Sequence, residues 1–301
     1  MGMLDGRVAI ITGGGRGIGR EHALLMASEG AQIVVNDLGG AIDGSGADTS
    51  AAQSVVDEIV AAGGHAVAST DSVTSFDGAR KIVELAVEVF GDLHVVVNNA
   101  GILRDRMLVS MSEEEFDAVV AVHLKGTFAV TRWAAEHWRE KSKTGDMTDR
   151  AIVNTSSGAG LHGNVGQTNY SAAKAGIAAM TIVNAMELKR YGVRANCIAP
   201  IARTRLTLQT PGIGEMMGKA VFDPENISPV VAYLATADCP FTGQVFSVYG
   251  GSVGIYAGWS IADEVTSTER WSVAGLAQAM DKLPRTVPVN SQFAKMAEAL
   301  T

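Results

Sequence analysis

The chain is poor in the features that mark several large classes of protein. Only two cysteines occur in 301 residues, Cys197 and Cys239, without metal-ligand spacing. That excludes a disulfide framework and a cysteine-based metal centre. It fits a reducing compartment, where free cysteines serve as small buried hydrophobes. No run of lysine or arginine is present, and the net charge of −8 is spread along the chain rather than gathered in a tail. A nucleic-acid-binding surface, which needs concentrated positive charge, is therefore not expected. No apolar stretch approaches the ~20 residues needed to span a bilayer. The start, "MGMLDGRVAIITGGGRGIG", runs into a strand with no basic segment followed by a long apolar one. These absences predict a soluble, cytoplasmic protein with no nucleic-acid, membrane or metal partner.

Apolar residues, at 47%, and glycine, with 34 copies, are abundant instead. This length and composition suit one large α/β domain with decorations. Short β-branched runs, "RVAIIT", "AQIVVND", "HAVAST", "LHVVVNNAG", "RAIVNTSS", "VRANCIAP" and "GQVFSVYGG", read as strands. Amphipathic segments between them read as helices, among them one long helix from Glu113 to Lys141 and another from Tyr170 to Arg190. Strands that are apolar almost throughout, alternating with helices, imply a parallel sheet covered on both faces. Residues 1–259 form this domain. Within it, residues 201–226 mix proline, glycine and helix formers, which suits a substrate lid or an ordinary surface loop. Residues 260–301 form a helical extension around "VAGLAQAMDKL" and "SQFAKMAEAL", placed to cover the active site or a subunit interface.

"TGGGRGIG" puts Gly13, Gly17 and Gly19, with Arg16 and Ile18, at the turn from the first strand into the first helix. Glycines let the backbone approach a pyrophosphate, and the helix N-terminus offers free N–H groups and a favourable dipole. A tight turn alone would also want glycine, but the position between strand and helix favours a dinucleotide. Asp37 ends the second strand about 20 residues later, where a carboxylate accepts hydrogen bonds from both hydroxyls of an adenosine ribose. The same charge repels a 2′-phosphate, which selects NAD over NADP. A turn residue before Gly39 and Gly40 is the structural alternative. Arg16 and Arg20 can attract a 2′-phosphate, but Asp37 occupies the ribose position itself.

A second constellation lies in "SSGAGLHGNVGQTNYSAAK". Tyr170 and Lys174 are one helical turn apart and share a face. An ammonium beside a phenol favours the phenolate and lowers a tyrosine pKa from about 10 toward neutrality. Such a tyrosine serves as general base toward an alcohol or as acid toward a ketone. Ser157, at the end of the preceding strand, is placed to hold the substrate oxygen.

Taken in order, "TGGGRGIG", "NNAG" (Asn98 to Gly101), Ser157, Tyr170 and Lys174 resemble the short-chain dehydrogenase/reductase family, over about residues 4 to 255. The resemblance implies a Rossmann fold with a doubly wound, seven-stranded parallel sheet, a nicotinamide cofactor, and hydride transfer between its C4 and a carbinol or carbonyl carbon. It also implies that Asp71, with Ser72 and Val73, meets the adenine. Asn98 supports the central strand, Asn99, Ala100 and Gly101 line the cofactor, and Pro200 and Thr204 face the nicotinamide. Ile201 stands where many members have glycine. The family further implies a homodimer or homotetramer built on the two long helices, unless the C-terminal tail covers that surface.

The family's usual asparagine on the long helix, which helps hold a water linking the lysine to solvent, is replaced by His123 in "AVVAVHLKGTF". A neutral imidazole has one donor and one acceptor, so it can serve a proton relay whose titration near neutral pH is felt in the rate. The alternative is a packed histidine without a part in turnover. More narrowly, "VNDLGG", "NNAGILRDR", "VHLKGTF", "GNVGQTNYSAAKAG" and "IAPIARTR" resemble the (3R)-hydroxyacyl-CoA dehydrogenase domains of peroxisomal multifunctional enzymes, also called 17β-hydroxysteroid dehydrogenase type 4, and their bacterial single-domain relatives. Members of that group also read "VHL" here. The resemblance implies a (3R)-hydroxyacyl-CoA or steroid-type substrate, with Arg104, Arg106, Arg203 and Arg205 as candidate contacts for the CoA tail. Rival readings are an NADPH-dependent 3-oxoacyl reductase, a dehydrogenase of a free steroid or other secondary alcohol, and a cofactor-sensing binding protein without turnover.

Overall fold

A computed structural model describes residues 2–208 and 220–284, in two compact units that divide between Ile255 and Tyr256. In the first unit, strands β1 (Val8–Thr12), β2 (Gln32–Asn36), β3 (His65–Ser69), β4 (Val95–Asn98), β5 (Arg150–Thr155), β6 (Val193–Pro200), β7 (Val245–Tyr249) and β8 (Ser252–Ile255) make one sheet in the order β3-β2-β1-β4-β5-β6-β7-β8. The first seven are parallel, as the alternating pattern predicts. The eighth strand is an addition to the expected seven: β8 runs antiparallel to β7 across the Gly250–Gly251 turn. Its "SVGI" is exposed at every residue, so no buried face marks it in the sequence.

Alternation along the strands explains the two layers of helices. In β1, Ala9 and Ile11 join a core beneath α1 (Gly17–Ser28), α2 (Ser50–Ala61) and α9 (Ser228–Ala235). Val8 and Ile10 point the other way, into a core with α3 (Phe76–Phe90), α5 (Gly126–Lys143) and α7 (Thr168–Leu188). Successive side chains of a strand face opposite sides, so a strand covered twice must be apolar throughout.

The long helix expected over Glu113–Lys141 is interrupted. It consists of α4 (Glu113–Val120), a π-helical turn over Ala121–Lys125, and α5. The π turn holds His123, and such bulges are frequent at functional sites because an extra residue re-aims the side chains. At the start of α4, the Ser112 hydroxyl accepts from the Glu115 N–H, and the Glu115 carboxylate accepts from the Ser112 N–H. The short helix α6 (Gly158–His162) follows β5. Of the expected lid at 201–226, the two ends are described, with the short helix α8 (Arg205–Leu208) in the first. Residues 209–219 lie outside the described residues.

The second unit, described to Pro284, carries α10 (Val273–Met280), whose first turn is capped by the Ser272 hydroxyl. The expected helix over "SQFAKMAEAL" lies outside the described residues. Among the described residues no helix is long and apolar enough to cross a membrane.

Candidate active site

The parallel strands all end on one edge, and the strand order reverses direction between β1 and β4. Open α/β sheets bind ligands at such a switch point. A cleft of about 390 Å³ runs along this edge, lined at the ends of six strands by Gly13, Asp37, Asp71, Asn99, Thr155 and Pro200. Every cofactor residue expected from the sequence lines it except Gly19, which packs directly beneath. A Cβ on Gly19 would stand 2.1 Å from the Gly13 carbonyl oxygen, and Gly13 itself adopts φ +65°. The turn therefore has room only for bare backbone, as close approach of a pyrophosphate requires.

Asp37 stands at the tip of β2 with both carboxylate oxygens held, one by the Gly15 N–H (2.9 Å) and one by the Gly39 N–H (2.6 Å). Asp37 thus holds the turn around it while lining the cleft. The two arginines that might have favoured a 2′-phosphate are committed elsewhere. Arg16 pairs with Asp48 at 2.6 Å, and Arg20 pairs with Glu21 and Glu58. Asn98 donates to Asn154 and Thr131, and Asn154 donates to Thr181. This buried ladder joins β4 and β5 to α5 and α7, in keeping with the supporting role expected of Asn98. Asn99 donates to the carbonyls of Thr12 and Gly13, which fixes the glycine turn from the side. These features would suit a dinucleotide.

At the other end of the cleft, Tyr170 and Lys174 rise from α7, and Ser157 caps α6. Ser157 does not line the cleft wall, but it is near enough to the Tyr170 phenol to lower its pKa. The Lys174 ammonium, buried, donates to the Thr155 carbonyl at 2.6 Å and lies 5.6 Å from the Tyr170 ring centroid. One expectation needs correction. The phenol is not lowered toward neutrality: burial pushes it up to about 12, Ser157 opposes this, and the charge of Asp105 adds to it. Burial also pushes the Lys174 ammonium down to about 8. The lysine spends its short hydrogen bond on the Thr155 carbonyl rather than on the phenol, and desolvation sets the direction of both shifts.

His123 is buried at 1% exposure, edge-on to the Tyr170 ring at 5.1 Å between centroids. Its Nε2 faces the Ile102 carbonyl at 2.8 Å and the Ile102 N–H at 3.1 Å, while Nδ1 has no partner. Burial, and then the nearby Lys174 charge, push its pKa well below the ordinary histidine value. The expected titration near neutral pH is therefore corrected: this ring is neutral across the working range, and it packs against the tyrosine. Gly101 makes room for it, since a Cβ there would lie 2.4 Å from His123 Cε1. Gly101→Ala is expected to cost about 1 to 3 kcal/mol by overpacking, read as a lowered midpoint in urea unfolding. An unchanged midpoint would show that the ring moves freely.

Several lining residues were not anticipated. Leu38, Gly40, Ala41, Ile42 and Gly44, from the loop after β2, and Val122 and Thr207 also face the cleft. The glycine-rich "LGGAIDGSG" is the one signal that points to this loop. Of the four arginines considered for a CoA tail, Arg104 donates to the Asp43 carbonyl, Arg106 pairs with Glu115 and Arg203 pairs with Asp223. Arg205 alone of the four lines the cleft.

Comparison with known proteins agrees with this geometry. The sequence profile of the short chain dehydrogenase family matches residues 7–209. Hydroxyacyl-CoA dehydrogenase ChsB1 of Mycobacterium tuberculosis is 47% identical over 260 residues, which cover 83% of this chain and 79% of that protein. Peroxisomal multifunctional enzyme type 2 of Drosophila melanogaster is 47% identical over 247 residues, 82% of this chain but only 39% of that longer protein. A crystal structure of a short chain dehydrogenase from Mycobacterium avium superposes with a TM-score of 0.84 at 52% identity, covering 95% of this chain and 99% of the other. The chain belongs to the short-chain dehydrogenase family, whose fold it carries, and it is an oxidoreductase acting on CH–OH groups.

Proposed function

We propose that this protein is an NAD-dependent (3R)-hydroxyacyl-CoA dehydrogenase, oxidising the C3 carbinol of a fatty or steroid side-chain acyl thioester to the 3-oxoacyl-CoA. The observation that carries the reading is a single cleft with Tyr170 and Lys174 at one end and the anchored Asp37 carboxylate at the other. NAD is favoured over NADP because Asp37 adds negative charge at the ribose position, while Arg16 and Arg20 are neutralised by carboxylates. The acyl-CoA assignment draws on the name of the tuberculosis relative. Arg205, on the cleft wall, is the candidate contact for CoA phosphates.

In this reading Ser157 holds the substrate hydroxyl, and Tyr170, once its own phenolic proton has passed to solvent under the positive charge of Lys174, accepts the hydroxyl proton as carbon and oxygen form the carbonyl. Lys174 places a positive charge behind the phenol and stabilises the phenolate. When bound, the oxidised nicotinamide supplies the hydride acceptor and a second positive charge. His123 keeps the Tyr170 ring edge-on, and Ile102 holds His123 in turn. Exposed apolar residues on α5 and α7, among them Phe128, Ile182, Val183 and Met186, support a homo-oligomer.

The test is NADH formation with saturating NAD and matched (3R)- and (3S)-hydroxyacyl-CoA thioesters, one of them steroid-bearing. Turnover confined to the R series is expected. Absence of turnover with any thioester, with NAD still bound, would move the substrate to a free alcohol or steroid.

A further inference from the structure

The loop after β2 lines the cleft beside Asp37, yet little in its own composition holds it there. Residues 38–48 read "LGGAIDGSGAD", and Leu38, Gly40, Ala41, Ile42 and Gly44 face the cleft. A segment so rich in glycine has many conformations to lose, so its position depends on what ties it. Its base is closed by the Asp48 N–H, which donates to the Leu38 carbonyl at 3.2 Å, and by Arg16, which pairs with Asp48.

The tip of the loop is tied to the segment that follows β4. The Leu103 N–H donates to the Ile42 carbonyl at 2.9 Å, and Arg104 Nε donates to the Asp43 carbonyl at 2.8 Å. Gly44 packs against Ile102, where a Cβ would stand 3.1 Å from Ile102 Cδ1. In the sheet, β2 and β4 lie on either side of β1, so the tie joins the two strands that flank the glycine turn. The segment it reaches is itself fixed. The Arg104 carbonyl accepts from the buried Asn169 amide at 2.9 Å, and the Ile102 N–H and carbonyl both meet His123 Nε2. A pliant loop is thus held by an ordered post, and a buried amide with its hydrogen bonds made keeps that post rigid.

We propose that Arg104 is a positioning residue for the cofactor: by holding the Asp43 carbonyl it keeps the loop after β2 in place as a cleft wall and so sets how tightly the dinucleotide is retained. Ordering the wall before the cofactor arrives removes part of the entropy cost of binding, and a loop released from its post would let the cofactor leave sooner. Arg104 takes no part in the proton steps described above. The inference rests on the reading of this cleft as a dinucleotide site, and its test separates the two.

The experiment compares the parent, Arg104→Met and Arg104→Lys. Fluorescence titration with NADH and NADPH gives the dissociation constants, amide hydrogen exchange follows residues 38–48 in the cofactor-free protein, and steady-state kinetics give KM for (3R)-hydroxybutyryl-CoA. Methionine keeps the length and apolar stem of the side chain and removes its donors. Arg104→Met is expected to raise the NADH dissociation constant about fivefold, the net worth of one hydrogen bond, and to speed exchange in the loop, with KM for the thioester unchanged. Arg104→Lys, which keeps a cationic donor, recovers most of the affinity. An NADH dissociation constant equal to the parent's in Arg104→Met overturns the proposal, and a raised thioester KM beside it would make Arg104 a contact for the CoA tail. A parent that bound neither NADH nor NADPH would overturn the dinucleotide reading itself, and the proposal with it.

Discussion

Replacing Tyr170 by phenylalanine is expected to lower kcat by a factor of about 10² to 10⁴, the usual contribution of a positioned acid or base. NADH affinity is expected to stay within about threefold of the parent, because the ring remains and only the hydroxyl is lost. The ring is held by packing against His123, and the preceding backbone by the Asn169 amide, so the variant should keep the site's shape. Loss of one hydroxyl costs about 1 kcal/mol, too small to unfold the chain. The measurement is steady-state kinetics alongside NADH fluorescence titration. A rate within tenfold of the parent would mean that proton transfer runs through another group, and the mechanism would have to be rebuilt around it.

The second large effect is at Asp37. Replacing it by serine is expected to lower kcat/KM for NAD by about 10²-fold. That corresponds to about 2.7 kcal/mol, within the range for losing one or two charge-assisted hydrogen bonds to the ribose. For NADP, kcat/KM is expected to hold or rise, because the carboxylate that repels a 2′-phosphate is gone. Asp37 also accepts from the Gly15 and Gly39 N–H groups, so its removal loosens the loop. NADP distinguishes the two consequences: loosening alone would lower both cofactors together, whereas removal of charge moves them apart. Parallel losses for NAD and NADP would count against Asp37 as the selector.

Asp37 also illustrates why some features are legible in sequence and others are not. Its place at the end of a strand, after the glycine turn, is a matter of local order and follows from apolar runs and turn residues. That Arg16 is unavailable to a phosphate is not local, since it depends on Asp48, 32 residues away, closing on it at 2.6 Å. His123 follows the same rule. Its position on the helix before the catalytic strand could be counted from "NNAG", but its neutrality arises from burial beside Lys174 and Tyr170, which come from another helix. The Tyr170 phenol shows the limit most clearly: spacing places it on one helix face with Lys174, while burial among other elements sets the direction of its shift.

What the sequence by itself determined is the alternation of strand and helix, the parallel doubly wound sheet, the glycine turn, and the grouping of Ser157, Tyr170 and Lys174. These are encoded by periodicity, turn chemistry and short spacings, all of them properties of neighbours along the chain. Only the tertiary structure decided the antiparallel β8 edge, the π turn within the long helix, and the tie from Arg104 to the loop after β2. It also decided which arginines are free to meet an anion. Each of these depends on groups from separate elements meeting in a low-dielectric interior, where burial and pairing, not residue type, set the charge and the contacts.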